Sequence, residues 1–333
     1  MSIGIGVIGA GVMGADHVRI TATEVAGARV VAVCDQDLAR AKSVAAGAPG
    51  ARALSDPMAL IADKGVDAIL VASPDETHAE YALACIAAGK PVLCEKPLAP
   101  TAEACQRIIA AEQAGGKRLV QVGYMRRFDP SYIDIKNHFS SGDFGEALLL
   151  HCVHRNATVP PWFTSLMSIT NALVHEFDII RWLLDREIAS IQVLQGRSTH
   201  HSKSPDPLFA VMEMDDGMLV DAEVFMNSSY GYDVRTELVC EKGTLTMTPP
   251  NLAELRSNGA QSFPFAKDWR ARFETAYRRQ MQAFVESVST GRMAGSSAWD
   301  GLAASAVAEA GMQAFRTKSK MDVTLPKRPK LYA

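Results

Sequence analysis

Two short stretches carry the side chains best suited to chemistry. In SITNALVHEFDII, residues 168–180, the amide of Asn171 and the imidazole of His175 stand four residues apart, and Asp178 follows. On a helix these three share one face, while Leu173, Phe177 and Ile180 supply a core surface. The polar residues are then either satisfied members of the core or the lining of a site. In CEKPLAP, residues 94–100, Glu95 and Lys96 stand at the mouth of an apolar run. They are a surface ion pair or something more active. In the second case the Lys96 ammonium holds an oxygen and the His175 imidazole accepts its proton, the pair that hydride removal from an alcohol requires.

A third stretch binds an acceptor for that hydride. GAGVMG, Gly9 to Gly14, has the form G-x-G-x-x-G, follows a predicted strand and opens a predicted helix. Asp35 ends the next strand, 21 residues after Gly14. That context is what a dinucleotide fingerprint demands. Gly9 allows the tight turn, Gly11 lets the backbone approach a diphosphate, and Gly14 permits close helix–strand packing. Val12 and Met13 lie between them, at the helix start whose N–H groups hold the diphosphate. The Asp35 carboxylate accepts bonds from ribose hydroxyls and repels a 2′-phosphate, which selects NAD over NADP. Arg40 reads as a solvated charge and His17 as structural.

The elements that must position these residues fall into two patterns. Residues 1–123 alternate short apolar strands (3–9, 29–35, 67–73, 91–95, 118–123) with helices (14–25, 37–46, 57–63, 77–88, 101–114). Such alternation implies an α/β domain with a doubly wound parallel sheet covered on both faces. Lys96 then sits at the carboxyl end of the fourth predicted strand, the edge where such sheets bind ligands. Residues 124–333 change pattern. Helix 130–140 and strand 146–155 precede the Asn171–His175 helix. Strands 188–196, 208–215, 218–226, 232–241 and 243–248 follow, then helices 269–290 and 298–314 and a strand at 321–325. Hairpin turns at MDDGM (214–218) and EKG (241–243) imply a mostly antiparallel sheet in an α+β domain. TVPPWFTS (158–165) and HHSKSPDP (200–207) read as loops.

The composition narrows the functional classes. Of 333 residues 48% are apolar and 21% charged, as in a globular protein rather than a disordered one. A formal net charge of −3 gives no reason to expect a nucleic acid. The basic cluster Lys327, Arg328 and Lys330 reads as a solvated tail. Six cysteines without C-x-x-C spacing read as reduced core residues of a cytoplasmic protein. His200 and His201 lack carboxylates at metal-ligand spacing, so no metal is expected. The glycine-rich N-terminus lacks a basic flank and is too short to span a membrane.

Taken together, GAGVMG, CEKP, GYMRRFD (123–129) and HEFDIIRWLL (175–184) resemble the Gfo/Idh/MocA oxidoreductases. HRN (154–156), YGYD (230–233) and DWRARFETAY (268–277) extend the likeness, closest to the inositol 2-dehydrogenases, over nearly the whole chain. The resemblance implies an N-terminal Rossmann domain and a C-terminal α+β domain whose open sheet builds homo-oligomers, often tetramers. It implies a cis bond before Pro97, with Lys96 and His175 catalytic. It also places Met125, Arg126, His154, Asn156, Tyr232 and Tyr277 near substrate, and Ser73, Pro74 and His78 on the cofactor-side loop beside Glu95. The implied reaction is NAD-dependent oxidation of a secondary hydroxyl of a cyclic polyol to the ketone. One position departs: the family's usual aspartate four residues before the histidine is Asn171 here. Asn keeps the shape and hydrogen bonding but loses an anion that favours imidazolium. A sugar dehydrogenase or ketose reductase, and an NAD-bound sensor without turnover, remain open alternatives.

Overall fold

The computed structural model describes residues 2–200, 202, 206–248 and 253–333. His201 and the centre of the predicted 200–207 loop lie outside them. The chain divides into two compact units: Met1–Met125 with Thr275–Ala306 and Leu325–Ala333, and Arg126–Glu274 with Val307–Thr324. A single division at residue 123/124 describes only the first crossing; the chain returns three more times, so Tyr277 belongs to the first unit.

In the first unit β1 (Ile3–Ile8), α1 (Val12–Thr23), β2 (Ala28–Cys34), α2 (Leu38–Ala45), β3 (Arg52–Leu54), α3 (Pro57–Ala62), β4 (Ala68–Val71), α4 (His78–Ala87), β5 (Val92–Cys94), α5 (Ala102–Gly115) and β6 (Val120–Val122) alternate. Their parallel sheet has the order β3-β2-β1-β4-β5-β6, with the direction of winding reversed between β1 and β4. The continuous apolar runs explain it. Ala68–Val71 and Val92–Cys94 are fully buried, as strands covered on both faces must be. Side chains start the helices: Asp37 accepts from Ala39 and Arg40 N–H, Asp56 from Met58 and Ala59 N–H ahead of Pro57, and Thr101 from Ala104 N–H. The three-residue edge strand β3 was not expected from sequence.

The tail is not simply solvated. Lys327, Arg328 and Lys330 are exposed, but the Tyr332 hydroxyl is buried and donates to Glu112. Glu112 also accepts from the N–H groups of Leu119 and Val120, so the tail is tied to the entry of β6.

The second unit holds α6 (Pro130–Ser140), β7 (Ala147–Arg155), α7 (Ser165–Met167), α8 (Val174–Leu184), β8 (Ile188–Gln195), β9 (Leu208–Met214), β10 (Leu219–Phe225), β11 (Asp233–Cys240), β12 (Gly243–Thr246), β13 (Leu255–Ser257) and β14 (Ala260–Ser262). α9 (Trp269–Thr290) begins here and passes into the first unit beyond a kink at Phe273; α10 (Ala298–Thr317) passes back, and β15 (Met321–Asp322) ends the sheet. The sheet order is β12-β11-β7-β10-β9-β8-β15. Its pairings are antiparallel except β7 with β10, which run parallel from Leu149↔Leu219 to Arg155↔Phe225. Burial alternates along these strands. Leu150, Ala210, Met212 and Ala222 face the core, while Leu149, Leu219, Phe209 and Leu194 share an exposed opposite face. All six cysteines are buried, and none forms a disulfide among the described residues. No helix among the described residues is long and apolar enough to cross a membrane.

The opening stretch departs from a continuous helix. Between α7 and α8, Ser168–Ala172 forms a π turn closed by Leu173 N–H on Ser168 O at 2.9 Å. Asn171 therefore sits on a widened turn and His175 on the regular helix after it. They are not an i,i+4 pair of one α-helix. Such turns recur at functional sites.

Candidate active site

The glycine-rich turn has the geometry a diphosphate needs. Gly9 has φ +99°, and its N–H donates to Cys34 O at 2.8 Å. A Cβ on Gly14 would collide with Gly9 O, whereas one on Gly11 would meet nothing within 4 Å. Gly11 caps α1 without any side-chain acceptor, and Val12 beside it is exposed; Met13 is half-buried. The first N–H groups of a 12-residue helix therefore face outward at the sheet's switch point, where an anion is stabilised.

Asp35 follows β2. One oxygen accepts from Ala10 N–H at 2.8 Å, tying the acid to the glycine turn, and the other from Asp37 N–H at 2.9 Å. Arg40 is an exposed charge, as expected, and its guanidinium also lies across this carboxylate, with Nη2 at 2.7 Å and Nε at 3.1 Å. Burial pushes Asp35 up, but Arg40 and the two backbone donors outweigh it and hold the acid below its ordinary range. It stays an ionised acceptor. The turn, the open helix start and this acid together fit a dinucleotide.

Beyond β4, Ser73 is half-buried and Pro74 exposed; the Ser73 and Thr77 hydroxyls are 2.6 Å apart. His78 is buried behind them, with Nδ1 2.7 Å from Pro97 O and Nε2 2.9 Å from Ser73 O. It clamps the β4 loop to the segment after β5. Glu95 is buried rather than part of a surface ion pair: His17 Nε2 donates to it at 2.7 Å and Lys96 N–H at 3.3 Å. His17 is thus structural, as expected, and packs edge-on against Tyr277 at 5.9 Å between ring centroids. Lys96 is half-buried, and the Lys96–Pro97 bond is cis.

In the second unit polar side chains converge on His154, an inward-facing residue of β7. Its Nδ1 lies 3.1 Å from Glu176 Oε2 and 3.2 Å from Arg126 Nη2, and its Nε2 lies 3.5 Å from the Tyr232 hydroxyl. The Tyr232 ring meets it edge-on at 5.8 Å, and the His175 ring lies 6.4 Å away. Arg126 also donates to Glu176 Oε1. Burial pushes Glu176 up, but Arg126 and His154 draw it down to about 2; burial pushes Tyr232 up to about 12, a neutral phenol. Arg126 is wholly buried with its charge matched, so it stands behind His154 rather than at an open substrate surface. The next arginine does likewise: Arg127 holds Asp178 through bonds of 2.9 and 2.6 Å.

Asn156 is half-buried; its backbone is paired with Phe225 and Ser228, while its Oδ1 is buried without a partner among the described residues, an acceptor suited to a hydroxyl-bearing ligand. Asn171 Oδ1 accepts from the Thr170 hydroxyl at 2.8 Å. Met125 is buried at the end of the first unit. His154, Asn156, Tyr232, Asn171 and His175 share the second unit; Lys96, Met125 and Tyr277 belong to the first. Glu176 was not foreseen. Its signal was an acid in an apolar helix, matched by the arginine pair in GYMRRFD.

A parallel nucleotide-binding unit and a mixed-sheet unit with a buried polar cluster define a dinucleotide-dependent oxidoreductase. Residues 3–124 match the oxidoreductase family's NAD-binding Rossmann fold and residues 136–323 its C-terminal alpha/beta domain. The chain belongs to the Gfo/Idh/MocA family. It is 51% identical to inositol 2-dehydrogenase 2 of Saccharopolyspora erythraea over 100% of this chain and 99% of that one. It is 46% identical to an inositol 2-dehydrogenase of Klebsiella pneumoniae, over 100% and 99%. Among solved structures, myo-inositol dehydrogenase from Lactobacillus casei in complex with NAD(H) and myo-inositol superposes with TM-score 0.97 at 32% identity, covering 100% of both chains.

Proposed function

We propose that this protein oxidises a secondary hydroxyl of an inositol to the ketone, with NAD as acceptor. The observation that carries the reading is the end-to-end match to an inositol 2-dehydrogenase at 51% identity, over 100% of this chain and 99% of that one. Bound NAD supplies the site that takes up the hydride. The Gly9–Gly14 turn holds its diphosphate and Asp35 its ribose, with Ser73 and Pro74 beside it. Lys96 holds the reacting oxygen and stabilises developing alkoxide; His175 accepts the hydroxyl proton, with Asn171 as a hydrogen-bonding neighbour. His154, Asn156 and Tyr232 read the remaining hydroxyls, and Met125 and Tyr277 complete the substrate set. Arg126 supports His154.

The test mixes protein and NAD with a panel of inositols and aldoses and follows the near-ultraviolet absorbance of reduced cofactor. Turnover of an inositol is expected, with loss of roughly 10²–10⁴-fold in His175→Ala. Near-native turnover in that variant refutes its role. Tight NAD binding without turnover of any polyol would favour the sensor, a reading that Asn171 also suits. The exposed apolar face bearing Leu149, Phe209 and Leu219 suits a second copy of the chain in a cytoplasmic homo-oligomer, tetrameric by family resemblance.

A further inference from the structure

We propose that Glu176 is a positioning residue: it fixes the His154 imidazole in the Nδ1–H tautomer and so makes Nε2 an acceptor for a substrate hydroxyl. Only the last clause rests on the polyol reading above; the tautomer stands on geometry.

Glu176 lies in the first turn of α8 and is 1% exposed. Its oxygens are divided, Oε1 accepting from Arg126 and Oε2 facing His154 Nδ1 at 3.1 Å. An ionised carboxylate only accepts, so this contact is a hydrogen bond only if Nδ1 carries the hydrogen. Arg126 Nη2, 3.2 Å from the same nitrogen, only donates and would need a lone pair there. The two demands exclude each other.

The buried anion decides between them. If Arg126 donated to Nδ1, a lone pair of Glu176 would face the imidazole with no donor, a costly state for a buried anion. If Nδ1–H donates to Glu176, both oxygens of the buried carboxylate have a donor, Arg126 on Oε1 and His154 on Oε2. With Nε2 left as an acceptor, the Tyr232 O–H, 3.5 Å away, can point to it. A doubly protonated ring would set a second cation beside the buried guanidinium against one carboxylate. The ionisable groups around the ring agree with this choice. Arg126 precedes α6, which contributes Tyr132; α8 contributes Glu176 and His175; Tyr232 precedes β11; Arg272 of α9 is neutralised by Asp129 at 2.8 Å. The nearby phenols are neutral, so Glu176 is the anion that orients the ring.

The consequence is chemical selectivity. With Nδ1 committed, Nε2 can only accept, and a ligand group there must be a donor such as an alcohol O–H. Tyr232, at the 3.5 Å limit of bonding, can yield the position.

The test begins with native protein carrying nitrogen-15 histidine, the His154 signals being assigned by their loss in His154→Gln. A pyrrole-type Nδ1 and a pyridine-type Nε2, unchanged from neutral to mildly alkaline pH, are expected. A protonated Nε2 overturns the proposal whether or not any inositol is turned over, so it fails separately from the functional reading. With an active substrate, Glu176→Gln lowers kcat/KM roughly 10–100-fold, mainly through KM. In a His154→Gln background the same change costs little, because its effect passes through the ring. Equal losses in both backgrounds mark Glu176 as merely structural. If Glu176→Gln does not fold, the tautomer in native protein decides alone.

Discussion

Replacing His17 by alanine tests whether the β5 tip depends on a buried, compensated anion. Glu95 is 6% exposed and has two donors, His17 Nε2 at 2.7 Å and Lys96 N–H at 3.3 Å. Burial pushes its carboxyl up, but His17, helped by Lys96, draws it below its ordinary value of 4.5. Without His17 the carboxylate keeps only the longer bond, and Tyr277 loses the ring it packs against. Stranding one partner of a buried pair costs about 3–5 kcal/mol, or roughly 6–20 °C in Tm for a unit of this size. The pH dependence adds a second requirement. Because its folded value is lowered, native Glu95 contributes stability above 4.5 that is lost as pH falls through the lower folded value. In His17→Ala the carboxyl stays buried without its main donor, its folded value rises, and protonation relieves the strain. The gap in Tm is therefore widest near neutrality and narrows in acid. Thermal melts of both proteins across that range give the answer. A gap under about 2 °C at neutral pH, or one that does not narrow, refutes the argument.

Two further substitutions probe the cofactor turn and the π turn. Gly14→Val puts a side chain against Gly9 O, at a cost of about 1–3 kcal/mol, and should abolish NAD binding in calorimetric titration; retained affinity would refute the cradle assignment. Asn171→Asp keeps the acceptor held by the Thr170 hydroxyl and adds an anion in the segment before His175. It should raise the proton affinity of His175 and move the acid limb of the kcat/KM profile to higher pH. An unmoved limb refutes electrostatic coupling between the two.

The parallel unit was legible because its signals are local. Apolar runs, N-cap acids and the glycine spacing each act over a few residues, and each appears where expected. β3 escaped because Arg52–Leu54 is a short edge strand with no apolar run to mark it. The crossing that carries Tyr277 into the first unit escaped because long-range packing, not local pattern, decides which sheet a helix end joins. The π turn escaped for a related reason. Four-residue spacing identifies helical neighbours only if every turn has the same width, and the bond from Leu173 to Ser168 leaves no trace in residue types.

The charged letters of HEFD show why reading the site from residue type alone misassigns roles. His175, Glu176 and Asp178 look like one acidic–imidazole cluster, yet residues two apart on a helix point in different directions. Glu176 takes Arg126 and Asp178 takes Arg127, so consecutive arginines of GYMRRFD bind acids on different sides of α8. Both acids are spent on internal charge balance. A bare carboxylate beside the imidazoles would compete with a hydroxyl ligand for every donor. Pairing each with a guanidinium instead converts two charges into fixed geometry, and in the proposed reading recognition falls to His154, Tyr232, Asn156 and Asn171, groups whose hydrogen bonds an alcohol can match.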